Sequence, residues 1–128
     1  MFIPIIPGNA GKPIAPYVQG AKAGQTLYVS GMLSLDENGR VAHEGDARAQ
    51  TKHVIEQIRA VVKEAGAEIE DIVYNMIFIS DVKYYSDMNE IYAEYFPNPP
   101  ARYCIVSQLV KPGCIVEIAS VAYLGRAV

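Results

Sequence analysis

A mixed α+β fold, one sheet with two helices packed on one of its faces, follows from three observations on this chain. Ile72 to Ile79 (Ile-Val-Tyr-Asn-Met-Ile-Phe-Ile) is apolar at both odd and even positions, as a strand in the middle of a sheet must be. Two segments, from Asp46 and from Asp81, repeat apolar residues at helical spacing. The order of elements is strands, helix, strand, helix, strand, strand, which packs most simply as a mixed sheet with both helices on one side.

Taken in order, the chain through Gly24 is rich in Gly and Pro and is predicted to be extended or looped. Gln25 to Ser30 (Gln-Thr-Leu-Tyr-Val-Ser) is β-branched and aromatic and predicts a strand. Gly31 follows as a bulge or a close-approach site, Met32 to Leu35 continue the strand, and Asp36-Glu37-Asn38-Gly39 is a turn. Asp46 caps a helix to about Ala65, with Val54, Ile55, Ile58, Val61, Val62 and Ala65 on one face and Gly66 as its stop. Lys52, Glu56, Arg59 and Lys63 form the solvated side. After the strand at 72–79, Asp81 opens a second helix with Tyr84, Met88, Ile91, Tyr92 and Tyr95 on one face, ended by Pro97-Asn98-Pro99-Pro100. Strands at about Ala101–Ser107 and Ile115–Leu124 close the chain, joined by a loop holding Lys111-Pro112-Gly113. Helices on one face leave the other face bare and apolar, which predicts an oligomer.

The 128 residues suit one domain spanning 1–128, and 51% hydrophobic with 20% charged residues is the composition of a folded globular protein. A net charge of −3 without a Lys/Arg run offers no electrostatic footprint for nucleic acid. The apolar N-terminus lacks a basic region and is broken by Pro4 and Pro7, so it is not a signal peptide, and no run reaches membrane-spanning length. A cytoplasmic protein with no membrane or nucleic-acid partner is the expectation. Cys104 and Cys114 stand ten apart, a spacing that is neither a metal motif nor a redox pair.

Two charges interrupt the last two strands. Arg102 shares a strand face with Cys104 and Val106, and Glu117 shares one with Ala119 and Val121. A lone charge in an apolar strand is costly unless paired or used. A guanidinium fork suits a substrate carboxylate, and a carboxyl in an apolar wall should have its pKa raised into the range of proton transfer. The alternative is a structural salt bridge, within the chain or between copies. If the last loop centres near Lys111, Arg102 lies opposite roughly Ser120 rather than Glu117, so the pair would meet obliquely or across a subunit boundary. Tyr17 and Ser30 are weaker candidates. His43 and His53 read as solvated, and Asn89, Glu90 and Glu94 as an exposed helix face. Cys104, with no nearby histidine to activate it, reads as a pocket wall. No phosphate loop, metal-binding helix motif, nucleophile elbow or dinucleotide fingerprint is present, and nothing implies a cofactor.

Over essentially its full length the chain resembles the Rid/YjgF family of enamine/imine deaminases. The resemblance is carried by Ala15-Pro16-Tyr17-Val18-Gln19-Gly20, Leu27-Tyr28-Val29-Ser30-Gly31, Gln50-Thr51 with Ile58 further on, Asn89-Glu90-Ile91-Tyr92-Ala93-Glu94-Tyr95-Phe96, Pro100-Ala101-Arg102-Tyr103-Cys104 and Val116-Glu117-Ile118. Within the family it is most similar to the RutC branch, the 3-aminoacrylate deaminases of pyrimidine breakdown, through Gln50-Thr51-Lys52-His53-Val54, Ile77-Phe78-Ile79-Ser80-Asp81, Arg102-Tyr103-Cys104-Ile105 and Leu109-Val110-Lys111-Pro112. Tyr103 stands where archetypal 2-aminoacrylate deaminases usually carry serine. The resemblance implies a chorismate-mutase-like subunit and a homotrimer with clefts between subunits. It also implies that Arg102 binds the substrate carboxylate, that Glu117 positions or activates water, and that Tyr17, Ser30, Gly31 and Cys104 line the cleft. A non-catalytic trimer that binds small carboxylates is the competing reading, and a ribonuclease a third.

Overall fold

The computed structural model describes residues 1–8 and 13–125. Six strands, β1 (Ile3–Ile5), β2 (Gly20–Ala23), β3 (Thr26–Leu33), β4 (Ile72–Ile79), β5 (Ala101–Val106) and β6 (Val116–Tyr123), form one sheet in the order β1-β2-β3-β6-β4-β5. All neighbours are antiparallel except β4 and β5. Helices α1 (Ala47–Glu64) and α2 (Tyr85–Tyr95) lie against one face, with α1 packed on β3, β6 and α2.

The predicted α1 is present with its predicted ends. Asp46 accepts a hydrogen bond from the Ala49 amide at 3.0 Å, and Gly66 takes φ 83°, the left-handed geometry in which a helix stops. Val54, Ile55, Ile58, Val61 and Val62 are all at most 1% exposed and face the sheet. Asp81 caps a single 3-10 turn, Val82–Tyr84, which leads into α2.

Three features refine or correct the expectations. The glycine-rich start is extended or looped as expected, and its extended parts, β1 and β2, continue the sheet beyond β3. Gly20-Ala21-Lys22-Ala23 has poor strand propensity and is held by a tight hairpin, with Gly24 at φ 59° and Ala23 paired to Thr26. The last two strands are not neighbours. The β4–α2–β5 crossover sets β5 parallel beside β4, and β6 inserts between β3 and β4. Thirdly, β4 does not bury both faces equally. A register shift between Ile72 and Tyr74 turns Asn75, Ile77 and Ile79 to the helices, while Tyr74, Met76 and Phe78 on the open face are half-buried.

The open face carries Tyr28, Tyr103, Ile105 and Tyr123, all exposed, with Tyr103 edge-on to both Tyr74 and Phe78. The predicted bulge is at the predicted place, since the β3–β6 register shifts between Val29 and Met32 around Gly31. Among the described residues no helix is long and apolar enough to cross a membrane.

Candidate functional site

The sheet divides the candidate residues into two groups. The first surrounds Glu117. β6 turns Val116, Ile118 and Ser120 to the helices, so Glu117 projects from the open face, in a row with Leu33 of β3 and Phe78 of β4. Its carboxyl is half-buried, has no cation within salt-bridge distance among the described residues, and has its pKa raised by desolvation. That is the shift expected for a carboxyl in an apolar wall. Gly31 lets the carboxyl approach β3 closely: a Cβ there would lie 2.6 Å from Glu117 Oε2 and 3.1 Å from its Cδ and would push the carboxyl aside. Next to Gly31, the Ser30 hydroxyl donates to the Val18 carbonyl at 2.6 Å and ties the Tyr17 loop to β3. Tyr17 is 42% exposed and borders both a shallow groove with Ser30 and a cavity of about 340 Å³ between the N-terminal segment, β3 and α1.

The second group surrounds Arg102 at the free edge of the sheet. Arg102 and Cys104 share the helix-side face of β5, as period two predicts. Arg102 Nη2 donates to Asn89 Oδ1 at 2.7 Å and to the Tyr85 hydroxyl at 3.3 Å. Its guanidinium carbon lies 4.7 Å from the centre of the Tyr92 ring. Tyr85, Asn89 and Tyr92 follow the i, i+4, i+7 pattern and form one stripe of α2 facing the arginine. No carboxylate of the described residues pairs with Arg102. Cys104 packs partly against the core. Burial pushes its thiol pKa up and the Arg102 charge opposes this more weakly, so the sulfur is a thiol rather than a thiolate at neutral pH.

Arg102 and Glu117 therefore do not wall one cleft within a chain, nor do they form a salt bridge within it. Arg102 lies level with Asn75 of β4, which in turn lies level with Ser120 of β6. The expected opposition to Ser120 thus holds as a row across three strands rather than as a hairpin pair. Two strand spacings and three residues of rise separate the two Cα atoms by about 14 Å, and the side chains leave opposite faces.

Two polar residues differ from the reading above. Asn89 belongs to the Arg102 stripe rather than to a solvated face, a placement its spacing from Tyr85 and Tyr92 signals. His53 is half-buried and its Nε2 bonds the Leu35 carbonyl at 3.0 Å, whereas His43 is exposed as expected. Gln50, part of the quoted Gln-Thr pair, is wholly buried and structural. Its Oε1 accepts from the Ile115 amide at 2.7 Å, and its Nε2 donates to the His43 and Gly113 carbonyls.

This subunit architecture recurs in solved proteins. A Rid-family protein of unknown function, YyfA from Yersinia pestis, is 33% identical, with 96% of this chain and 99% of that chain covered and a TM-score of 0.88. The YjgF gene product of E. coli is 30% identical over 94% of this chain and 98% of that one, with a TM-score of 0.85. E. coli TdcF, solved with bound serine, is 29% identical over 98% and 99%, with a TM-score of 0.86. The family described as Endoribonuclease L-PSP matches residues 7–124. The chain belongs to this family, the Rid/YjgF proteins, which includes imine deaminases.

Proposed function

We propose that the protein is a cofactor-independent deaminase of small enamines and imines that carry a carboxylate, acting as a homotrimer. The foremost substrate is 3-aminoacrylate, released as malonic semialdehyde and ammonia in pyrimidine breakdown. The observation that carries this reading is Arg102: a guanidinium oriented by Asn89 and Tyr92 at a sheet edge, with no protein carboxylate on it among the described residues. Such a group is built to receive a carboxylate from outside the chain. That a relative, E. coli TdcF, carries bound serine fits a site for a small carboxylate.

In the mechanism, Arg102 clamps the carboxylate and the enamine carbon takes a proton, giving the imine. Glu117, whose pKa burial raises above the ordinary carboxylate range, guides water onto the imine carbon and exchanges protons with it. The carbinolamine collapses, the C–N bond breaks, and ammonia leaves with the carbonyl product. Because the imine also hydrolyses in water unaided, positioning and proton transfer are all that the protein must add. The opposite-face placement of Arg102 and Glu117 favours a cleft shared by two subunits, with Tyr17, Ser30, Gly31 and Glu117 from one and Arg102 and Cys104 from its neighbour. The bare aromatic face and the unpaired β5 edge are the surfaces available for that contact. An RNA substrate fits least well, given the charge of −3 and the lack of a basic stripe.

The test is ammonia release from freshly generated 3-aminoacrylate and 2-aminoacrylate, with wild-type protein and with Arg102→Ala. Acceleration that is greater for 3-aminoacrylate and lost in the folded variant is expected. Preference for 2-aminoacrylate would reassign the substrate, undiminished turnover by Arg102→Ala would sink the assignment, and binding without turnover would leave a carboxylate-binding trimer.

A further inference from the structure

A buried polar chain runs through the core to the underside of Arg102. The Ser120 hydroxyl of β6 donates to Asn75 Oδ1 of β4 at 2.6 Å, and Asn75 Nδ2 donates to the Tyr92 hydroxyl of α2 at 3.0 Å. Ser120, Asn75 and Tyr92 are 1%, 0% and 4% exposed, among aliphatic neighbours such as Ile77, Ile79 and Ile118 on the same sheet face. Folding alone does not call for them, because apolar residues of similar shape in all three places would satisfy the core as well.

We propose that this chain is a positioning device for Arg102. The Asn75–Tyr92 bond crosses from a central strand to α2 and fixes that helix along and across the sheet. One face of the helix then presents the Tyr92 ring beneath the guanidinium and Asn89 against its Nη2. Ser120 holds the Asn75 amide so that its N–H group, not its oxygen, faces Tyr92. None of the three residues carries the charge or meets the substrate; they act through Arg102. The inference rests on the reading of Arg102 as the carboxylate-binding group, and the experiment separates the two.

The apolar triple variant Asn75→Val/Ser120→Ala/Tyr92→Phe keeps an aromatic ring and leaves no polar group unpaired, and Tyr92→Phe alone, which breaks the link to the helix and leaves Asn75 Nδ2 without that partner, is the second variant should the triple fold poorly. In arginine-labelled protein the Nε–Hε resonance of Arg102, assigned by its loss in Arg102→Lys, is expected upfield of exposed arginines because of the Tyr92 ring current. In the variants it should move back toward them, while KM for 3-aminoacrylate rises about 3- to 10-fold and kcat stays within about 2-fold, the size of a weakened cation–π and hydrogen-bonded hold. A resonance that stays at its wild-type position in folded variants overturns the proposal, even if their melting temperature falls. A resonance that moves while KM does not leaves the positioning device standing and removes Arg102 from carboxylate binding.

Discussion

Mixing two inactive variants distinguishes a cleft shared between subunits from one built within a single chain. On the proposed mechanism Arg102→Ala removes the carboxylate clamp and Glu117→Gln the water-handling acid, so each variant alone is expected to be inactive. The placement of the two residues on opposite faces of the sheet means that each cleft would draw Glu117 from one subunit and Arg102 from the next. Around a ring of three, any mixed trimer then contains one cleft with both wild-type residues, Glu117 from an Arg102→Ala subunit and Arg102 from a Glu117→Gln subunit. Random equal mixing makes about three-quarters of the rings mixed, so about one-quarter of all clefts are intact, and activity should recover to about 25% of wild type. Differently tagged variants are unfolded together and refolded, native mass spectrometry establishes which rings are mixed, and ammonia release is measured on the whole refolded population. Activity no higher than that of the parents, in a population shown to hold mixed rings, would refute the shared cleft.

Three further outcomes follow from the geometry. Gly31→Ala puts a methyl group 2.6 Å from Glu117 Oε2, so the carboxylate must retreat by about 1 Å to reach an ordinary contact distance. Overpacking should cost about 1–3 kcal/mol in a thermal melt, and misplacement should cost up to about 100-fold in kcat; wild-type kcat would show that Glu117 does no chemistry. Glu117 itself has a raised pKa, so its contribution to stability is whole below the ordinary carboxylate value and fades as pH rises through the raised one. Glu117→Gln should therefore gain stability relative to wild type between about pH 4 and pH 7, read from urea midpoints, and an equal difference at both pH values would deny the shift. Gln50→Leu strips the side-chain partner from the Ile115 amide and the Gly113 carbonyl, while the His43 carbonyl keeps the Asp46 amide, and should destabilise by about 3 kcal/mol with faster hydrogen exchange at Ile115. Unchanged exchange at Ile115 would mean that water replaces the amide without loss.

What the sequence makes legible is local. The α1 apolar face, its Asp46 cap and its Gly66 stop are written in residues a few positions apart, and the Gly31 bulge is marked by one glycine inside a β-branched run. Strand pairing is not local. Nothing in residues 101–124 says that β6 will slip between β3 and β4, because that choice is made by the β4–α2–β5 crossover filling the other edge. β1 escapes detection for a similar reason: Pro4 weakens Ile3–Ile5 as a strand, and only its pairing as an edge strand to β2 makes it one. In the site, Arg102 and Glu117 stand out because they are charges in apolar strands. Asn89 does not: its spacing from Tyr85 and Tyr92 puts the three on one stripe, but that the stripe faces Arg102, thirteen residues away on another element, follows only from how α2 is set on the sheet.

The helices and the main core occupy one face of the sheet, and Glu117 stands on the other. Its carboxyl is on the face that the helices leave bare, where Leu33, Gly31 and Phe78 flank it and Cys114 lies within electrostatic reach. Desolvation is the cause of its raised pKa, and desolvation on that face increases when another copy covers it. In the proposed trimer the proton affinity of the acid would then depend on the assembly as well as on the subunit. A substitution at the contact, such as Tyr103→Glu beside Tyr74 and Phe78, should lower the Glu117 pKa as the subunits part, in addition to removing Arg102 from the cleft. Titration of the Glu117 side-chain carbon by NMR measures that shift without substrate. If the monomeric variant titrates at the same pH as wild type, the link between assembly and proton affinity is broken, and the raised pKa belongs to the subunit alone.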